Sequence, residues 1–472
     1  MRILQVAHLY LPRHRTGVEI YTDRLARALL AHGHEVTVFT TEDSPTERDL
    51  SVRHRVVAGV PVIEVVNNKL YSSLRDTFSH AGMERRFAEA LDAARPEVVH
   101  FQHLLFHSLG DVRIAADRCV PTVLTLHEYW LQCLRGGLRR TADGTVCHDV
   151  PEERCARCLV TNSLWPSRGE KRAIRIARAV RAASGIDVRP LLRAIRVRAP
   201  RLARAATGGG APGAAREPDA AALASVRERN AVAAAALASV GAVLAPSRFL
   251  LEEFVARSGV PREKLLHWTF GLDPKELGLA AAEPRPARRP GDPLRLTYIG
   301  NPAPHKGLDT AIRAMALLPA GVATLAVHGS AARHPEYLAS ALAAAPRGAV
   351  LFRGEFGHGE AAAVLAATDA LVFPSLWFEN SPLTIHEAQL RAVPVLASRL
   401  GAIPEFVRDG ENGLLFEPGD AAALAAAVRR LAFEPGLLER LRAGSRPAVR
   451  SVDEEVAELV SLYDALRRRG RR

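Results

Sequence analysis

The sequence alternates short apolar runs with longer amphipathic stretches, and this alternation occurs in two separate series. In the first series, stretches of helical periodicity, such as residues 19–31 and 83–94, separate the apolar runs. The β-branched-rich runs of this series are RILQVA, EVTVFTT, VIEVV, EVVHF, PTVLTL and, further along, AVLAPS. Runs of this length and composition predict strands. Strands that alternate with helices predict a parallel, doubly wound sheet.

The second series begins near residue 294 and has the same character. Its predicted strands are LRLTYIG, ATLAVHG, AVLFRG, ALVFPS, PVLAS and GLLFE. Residues 277–293 are rich in proline and alanine and predict a linker. We therefore expect an α/β protein with two Rossmann-like domains, residues 1–276 and 294–445, that face a ligand cleft at their strand ends. Residues 446–472 predict a C-terminal helix that returns to the first domain.

The alternation stops between residues 131 and 220, which predicts an irregular insertion in the first domain. A cysteine-bearing loop comes first, then an arginine-rich stretch, and then TGGGAPGAA, which we expect to be flexible. The net charge of the chain is +12, and residues 168–204 alone hold twelve Lys and Arg against two acidic residues. No nucleic-acid recognition motif accompanies this charge, so we expect no nucleic-acid partner.

The same basic stretch, residues 168–205, has apolar residues among its arginines. A basic amphipathic helix on an anionic membrane surface is one interpretation, and a solvated insertion is the other. The longest apolar run, residues 231–246, falls short of the roughly 20 residues that a membrane span needs. The N-terminal residues predict a strand rather than a secretory signal. We expect a cytoplasmic protein that is soluble or peripheral on the inner membrane face.

The most specific chemistry lies in residues 374–420. Glu379 and Glu387 are separated by seven residues and flank a predicted helix start, with Ser381 as N-cap and Pro382 as first helical residue. The exposed N–H groups of a helix start, together with the helix dipole, bind anions. An anion site between two carboxylates suits a ligand that is part phosphate and part polyol, such as a nucleotide sugar. Two solvated glutamates at a helix start are the alternative.

Several further candidate site residues lie in loops that directly follow predicted strands. Lys306 lies in YIGNPAPHKGLD, where a lysine can neutralise a diphosphate. The order of a phosphate-binding Walker A loop is absent, so the sequence does not support ATP hydrolysis. His127 follows the strand PTVLTL, and Arg248 follows AVLAPS. Gly17 precedes a helix in the first loop, where a glycine lets the backbone approach a ligand. For each residue, an ordinary packing or surface role is the alternative.

Three histidines, His100, His103 and His107, lie close together in the sequence and raise the question of a metal site. Their spacing is irregular and no acidic residue accompanies them. Packing at the end of a strand is therefore the favoured interpretation.

Four cysteines, Cys133, Cys147, Cys155 and Cys158, fall within a short segment, whereas Cys119 is expected in the core. In a reducing cytoplasm, four neighbouring cysteines favour a tetrahedral zinc site over two disulfides. Such a zinc ion would be structural, because four thiolates leave it no open position. An iron–sulfur cluster and free thiols or disulfides are the alternatives.

Taken together, these strings resemble glycosyltransferase family 4, a family of retaining, metal-independent enzymes with the GT-B fold. The resemblance covers nearly the whole chain except about residues 164–220. Residues 374–420 match the glutamate-x7-glutamate signature of the family and the run that follows it. PHKG matches its donor lysine loop, TLHEYW its N-domain histidine string and TFGLD its interdomain string. The cysteine-rich loop is similar to the loop found at this place in a bacterial subset of the family.

The resemblance implies roles for individual residues. Lys306 would bind the donor diphosphate, Glu387 the ribose and Glu379 the hydroxyls of the transferred sugar. His127 would lie beside that sugar, and Gly17 near the phosphate or the acceptor. Lys306, Glu379 and His127 form the implied catalytic set. The implied donor-binding set is Gly17, Arg248, Gly300, Asn301, Lys306, Glu379, Asn380, Ser381, Pro382, Leu383 and Glu387.

The sequence departs from the family pattern at three places. Asn301 stands where an arginine is usual, and Arg248 is a candidate substitute. Thr16 and Gly17 replace two glycines, and Phe270 replaces an asparagine.

The resemblance implies retaining transfer of a hexose from a UDP- or GDP-sugar to a glycan or lipid-linked acceptor in cell-surface polysaccharide or glycolipid synthesis. No cofactor is implied for catalysis. A GT-B-fold epimerase or phosphorylase and a non-catalytic nucleotide-sugar-binding protein are the rival functions.

Overall fold

The computed structural model describes residues 1–44, 46–141, 143–161, 168–186, 217–274, 289, 291–332, 334–357, 360–445 and 450–470. The chain divides into two compact units. The first unit comprises Met1–Ala245, Glu253–Leu266 and Val456–Arg472, and the second comprises Pro246–Glu252 and His267–Glu455. Most of the predicted linker and much of the basic stretch lie outside the described residues.

A mainly parallel sheet forms the centre of the first unit, and its described strands are ordered β3-β4-β2-β1-β5-β6-β7-β8. These strands are β1 (Arg2–Ala7), β2 (Glu35–Glu42), β3 (Val52–Val57), β4 (Val60–Val66), β5 (Val98–Phe101), β6 (Thr122–Thr125), β7 (Ala242–Ala245) and β8 (Leu265–His267). Strand β3 is antiparallel to β4, whereas β1 pairs in parallel with both β2 and β5. Strand β1 is buried over almost its whole length, as expected for a strand covered on both faces.

The helices assigned to the first part of the chain are α1 (Gly17–Ala31), α2 (Ala81–Ala94), α3 (Gly110–Asp117), α4 (Glu152–Thr161), α5 (Arg168–Ser184), α6 (Ala220–Ser239) and α7 (Arg248–Arg257). In α1 and α2, the apolar residues at helical spacing are the ones that become buried, such as Leu25, Leu29 and Phe87. Helices α1 and α2 each begin two residues before the predicted start.

The second unit contains a parallel sheet whose described strands have the order β11-β10-β9-β12-β13-β14. These strands are β9 (Leu294–Ile299), β10 (Ala323–His328), β11 (Val350–Gly354), β12 (Ala370–Phe373), β13 (Val395–Ser398) and β14 (Gly413–Phe416). All six predicted strands are therefore present. Alternate residues of β12 enter different apolar clusters, because successive side chains point to opposite faces: Val372 packs with Leu296, and Leu371 with Val395.

The helices that follow these strands are α8 (Leu308–Ala316), α9 (Pro335–Ala343), α10 (Ala361–Ala366), α11 (Leu383–Leu390), α12 (Ile403–Phe406), α13 (Ala421–Phe433), α14 (Leu437–Gly444) and α15 (Val452–Gly470). From Val456 onward, α15 belongs to the first unit. There the hydroxyl of Tyr463 lies 2.6 Å from Nδ1 of the buried His100. None of the described helices is long and apolar enough to cross a membrane.

Candidate functional site

The loop between β9 and α8 presents Lys306. A short 3-10 turn covers Pro304–Lys306, and Gly307 follows with a left-handed φ of 69°. A Cβ atom on Gly307 would lie 1.9 Å from the carbonyl oxygen of Pro374, so only glycine fits this approach. The amide of Leu376 also donates to the carbonyl of His305 at 2.8 Å. The lysine loop is thereby fixed against the loop that follows β12.

Lys306 and Glu379 form an ion pair between these two loops. The Nζ atom of Lys306 lies 2.7 Å from Oε1 of Glu379, whose side chain is only 8% exposed. The same oxygen accepts a hydrogen bond from the Ser375 hydroxyl at 3.0 Å and from the Trp377 indole N–H at 2.5 Å. Hydrogen bonds to an ionised carboxylate are the stronger kind, so Glu379 is held firmly. The structure thus brings together two of the predicted site residues.

Sequence reasoning missed Ser375 and Trp377. The only signal was their position in the loop that carries Glu379.

Helix α11 begins beside this pair, but one residue later than predicted. Its first helical residue is Leu383, and Pro382 occupies the N-cap position without a side-chain cap. The prediction that Ser381 caps the helix is wrong, because the Ser381 hydroxyl lies 3.0 Å from Nε2 of His386 instead. Burial lowers the pKa of His386 to about 4, so its neutral ring can pair with this hydroxyl.

Other predicted donor-binding residues lie in the loops that carry Lys306 and Glu379 or on helix α11. Glu387 lies on α11 one turn after Leu383 and is partly exposed. Asn380 is buried next to Glu379 in the chain. Gly300 and Asn301 begin the loop that follows β9, where the Asn301 carbonyl accepts a hydrogen bond from the Tyr298 hydroxyl at 3.4 Å.

Arg248 starts α7 and has an exposed side chain. Its backbone N–H donates to the Glu405 carboxylate at 2.8 Å, and that of Phe249 donates to the same carboxylate at 2.6 Å. Glu405 therefore satisfies the first amides of the helix. The ring of Phe249 lies 5.2 Å from that of Phe378, the residue before Glu379.

In the first unit, His127 lies just after β6. Its Nε2 atom is 3.1 Å from Oε1 of Gln102, and its ring packs edge-on against Tyr21. Burial, with smaller contributions from His103 and His100, holds the pKa of His127 well below its usual value. The ring is therefore neutral near pH 7 and can exchange hydrogen bonds without adding charge.

Gly17 is the first residue of α1, and its loop is fixed by Glu19. The carboxylate of Glu19 accepts hydrogen bonds from the backbone N–H of Thr16, at 3.0 Å, and from the Thr16 hydroxyl. The other oxygen of Glu19 lies 3.5 Å from Nε2 of His8. Glu19 is a residue that the sequence interpretation missed, although a threonine followed three residues later by a glutamate is the signature of a capping box.

Of the three clustered histidines, His100 lies in strand β5, whereas His103 and His107 lie in the loop that follows it. His100 lies between the hydroxyls of Thr125 and Tyr463. His107 contacts the Ala7 carbonyl at 2.9 Å, and His103 lies 3.0 Å from Glu128. Groups of three or more His, Cys, Asp or Glu that could hold a metal ion are absent from the described part of the chain.

The four cysteines of the insertion lie near enough to one another to interact electrostatically. Burial raises the pKa of Cys155 to about 12, and Cys133, Cys158 and Cys147 add to this effect. Four thiolates are suitable ligands for a structural zinc ion. In the described part of the chain, however, the cysteines do not form a group that could hold a metal ion. Zinc binding therefore stays a prediction. The expectation that Cys119 is a core residue is wrong, because it is exposed at a turn with a φ of 56°.

Two protein-family models match the chain. Residues 293–433 match "Glycosyl transferases group 1", and residues 15–203 match "Glycosyltransferase Family 4". A glycogen synthase of Mycobacterium tuberculosis is 33% identical over 177 residues, which are 36% of this chain and 42% of that protein. A D-inositol 3-phosphate glycosyltransferase of Thermomonospora curvata is 32% identical over 218 residues, 43% of this chain and 48% of that protein. The chain thus matches less than half the length of these curated relatives.

Solved structures resemble the chain over nearly its full length. HepE of Anabaena, in complex with UDP and glucose, has a TM-score of 0.60 and 14% identity over 98% of this chain and 99% of that chain. Sucrose-phosphate synthase of Thermosynechococcus elongatus has a TM-score of 0.63 and 18% identity over 98% of both chains. These likenesses concern the fold, and they confirm the predicted GT-B class.

Proposed function

The chain belongs to glycosyltransferase family 4 and carries a group 1 glycosyl transferase domain, and from this we propose that it transfers a hexose from a nucleotide diphosphate sugar. The observation that carries the proposal is the 2.7 Å pair of Lys306 and Glu379 beside the start of α11. A cation for a diphosphate and a carboxylate for sugar hydroxyls are the groups that such a donor needs in adjacent positions. A related structure contains UDP and glucose, which supports a UDP-sugar as one candidate donor, with GDP-sugars as the other.

The residues around the pair would divide the donor between them. Lys306 would neutralise the diphosphate together with the N–H groups at the start of α11. Glu379 would accept hydrogen bonds from the sugar, and Glu387 from the ribose. The contact of His127 with the transferred sugar, which the family resemblance implies, stays a prediction.

The step that these residues assist is departure of the nucleotide diphosphate. As the bond between the anomeric carbon and the phosphate oxygen breaks, negative charge develops on the phosphate. Lys306 and the helix start would stabilise that charge. We propose that the acceptor hydroxyl attacks from the face the phosphate leaves, and that the departing phosphate takes the hydroxyl proton. This sequence retains the anomeric configuration and requires no nucleophilic side chain.

The test is nucleotide release from UDP-, GDP- and ADP-sugars with candidate glycan and lipid-linked acceptors. We expect turnover with one donor class, and a Lys306→Ala variant that has lost most of it. The variant Lys264→Ala, a lysine of the first unit, serves as the control. Equal turnover by Lys306→Ala would remove Lys306 from the mechanism, and a product of inverted configuration would contradict retention. Donor binding without turnover on any acceptor would favour a non-catalytic binding protein.

We also propose that α5 binds an anionic membrane surface at the cytoplasmic face, where a lipid-linked acceptor of cell-surface polysaccharide or glycolipid synthesis would be met. Ile176 and Val180 on this helix are exposed, and Arg172 and Arg175 lie beside them. Exposed apolar residues flanked by arginines suit the boundary between lipid headgroups and acyl chains.

Flotation with vesicles tests the membrane proposal. We expect the protein to float with vesicles of phosphatidylglycerol and phosphatidylcholine but not with phosphatidylcholine alone. The variant Ile176→Ser/Val180→Ser should lose this binding. The variant Phe433→Ser removes an apolar residue elsewhere that is more exposed than either Ile176 or Val180, and it should retain vesicle binding. Equal flotation of all three proteins would contradict the proposal.

A further inference from the structure

Trp377 touches both members of the Lys306–Glu379 pair. Its indole N–H donates to Oε1 of Glu379 at 2.5 Å, and the Nζ atom of Lys306 lies 4.7 Å from the centre of its ring. The ring of His305 packs against the same indole, with centres 5.3 Å apart and planes inclined by 68°. One aromatic side chain therefore contacts the lysine by its face and the glutamate by its edge.

Three donors share a single oxygen of Glu379, namely Lys306, Ser375 and Trp377. A diphosphate would compete with Glu379 for the lysine, because Lys306 has only one ammonium group to offer. A buried carboxylate that loses a donor is costly to maintain. The indole N–H and the Ser375 hydroxyl are neutral and have no affinity for a second negative charge comparable to that of the lysine. They would keep Glu379 in place after Lys306 turns to the diphosphate.

We propose that Trp377 is a positioning residue with two separable actions. Its N–H fixes the carboxylate of Glu379 for the hydroxyls of the transferred sugar. Its ring face supports the ammonium of Lys306 in the direction of the diphosphate through a cation–π contact. The inference rests on the proposed function, since it assigns Trp377 to the recognition of the same donor.

Two variants separate these actions. Trp377→Phe removes the N–H and keeps a ring beneath Lys306, whereas Trp377→Leu removes both. For Trp377→Phe, we expect affinity for the nucleotide diphosphate to change less than about threefold. Its kcat/KM for the nucleotide sugar should fall about tenfold or more, as expected for the loss of a hydrogen bond to a charged group. For Trp377→Leu, both quantities should fall. Binding is measured by calorimetry and transfer by nucleotide release.

The matched control is Trp268→Phe. The indole of Trp268 also donates to a buried glutamate, Glu455, at 2.9 Å, but it contacts none of the donor-site residues described above. We expect this variant to keep wild-type affinity for both ligands and to lose only stability. Ser375→Ala deletes another hydrogen-bond donor to the same oxygen of Glu379. Like Trp377→Phe, it should lower kcat/KM for the nucleotide sugar and change affinity for the nucleotide diphosphate little. It also keeps the proposal testable should Trp377→Phe fold poorly.

Two results would overturn the inference while leaving the proposed function intact. One is a Trp377→Phe variant with wild-type kcat/KM for the sugar donor. The other is a Trp377→Phe variant that loses affinity for the nucleotide diphosphate as much as it loses kcat/KM for the nucleotide sugar, as a merely structural residue would. A wild-type protein that binds neither ligand would instead overturn the proposed function, and this inference with it.

Discussion

The backbone of Gly307 lies directly against the carbonyl oxygen of Pro374. A Cβ atom at position 307 would be 1.9 Å from that oxygen, and the φ of Gly307 is left-handed at 69°. Two loops that follow different strands of the second sheet are therefore in backbone contact. Because Lys306 directly precedes Gly307 and Glu379 lies in the other loop, this contact sets the distance between the two side chains.

Replacing Gly307 by alanine should separate the loops and weaken donor turnover. Gly321 has a similar left-handed φ of 82° but no atom within 4 Å of the added Cβ, so Gly321→Ala is the matched control. We expect Gly321→Ala to lower the free energy of unfolding by about 1–2 kcal/mol, the cost of a left-handed alanine. Gly307→Ala should lower it further and also reduce kcat/KM for the donor. Denaturant titration and donor kinetics give the two quantities. Equal effects of both variants would contradict this account of the loop contact.

Glu387 and Glu379 should recognise different parts of the nucleotide sugar, namely the ribose and the transferred sugar. If Glu387 binds the ribose, Glu387→Gln weakens nucleotide diphosphate and nucleotide sugar alike, by about tenfold. Glu379→Gln should weaken only the nucleotide sugar. A deoxyribose analogue of the nucleotide sharpens the test, because wild type should discriminate against it and Glu387→Gln should not.

The exposed Glu417→Gln is the control for the change of charge and should bind as wild type does. A Glu387→Gln variant that still discriminates against the deoxyribose analogue would remove Glu387 from ribose recognition.

The sheet of the second unit could be predicted from sequence because its described strands are short and mainly apolar, and all of them except the edge strand β11 have buried residues. Strand β12 is buried at every position and is a continuous apolar run, and β13 is also fully buried, with Ser398 as its one polar residue. Strand β3 was not predicted, since its residues Val52–Val57 place three basic side chains in succession between valines and show no alternation of apolar and polar positions. Its Arg53 and Arg55 pair with Glu64 of β4, a partner that lies in another strand and leaves no local pattern.

The candidate site was predictable as far as its charged residues, but its supporting contacts were not. Glu379 and Lys306 stand in specific strings that the sequence displays directly. Their ion pair depends on how the two loops meet around Gly307, which no local pattern encodes. The predicted start of helix α11 was one residue too early, because the Ser381 hydroxyl pairs with the side chain of His386 and does not cap the helix.

The buried histidines should make the protein less stable as the pH falls. Burial lowers the pKa of His107 to about 4, so the folded state keeps this ring neutral while the unfolded state takes up a proton below about pH 6.5. Stability is therefore lost between pH 6.5 and 4, by up to about 1.4 kcal/mol per pH unit for each such histidine. His107→Gln removes the titration and can still donate to the Ala7 carbonyl.

Melting temperatures from pH 7 to 4.5 test this expectation. The melting temperature should fall less steeply with decreasing pH for His107→Gln than for wild type. It should still fall, because burial also lowers the pKa of His100 to about 3 and of His386 to about 4. The exposed His32→Gln should follow the wild-type curve. A His107→Gln curve parallel to that of wild type would show that this ring does not titrate on unfolding.

Zinc content tests the prediction for the four-cysteine loop. We expect purified protein to carry about one zinc ion per chain, bound by Cys133, Cys147, Cys155 and Cys158, because four thiolates satisfy tetrahedral zinc. Chelation should lower the melting temperature, since metal that binds only the folded loop stabilises it. Cys155→Ser should lose the metal, whereas Cys119→Ser, which alters an exposed thiol outside the set, should keep it. Metal-free protein whose melting temperature is insensitive to chelators would contradict the zinc prediction.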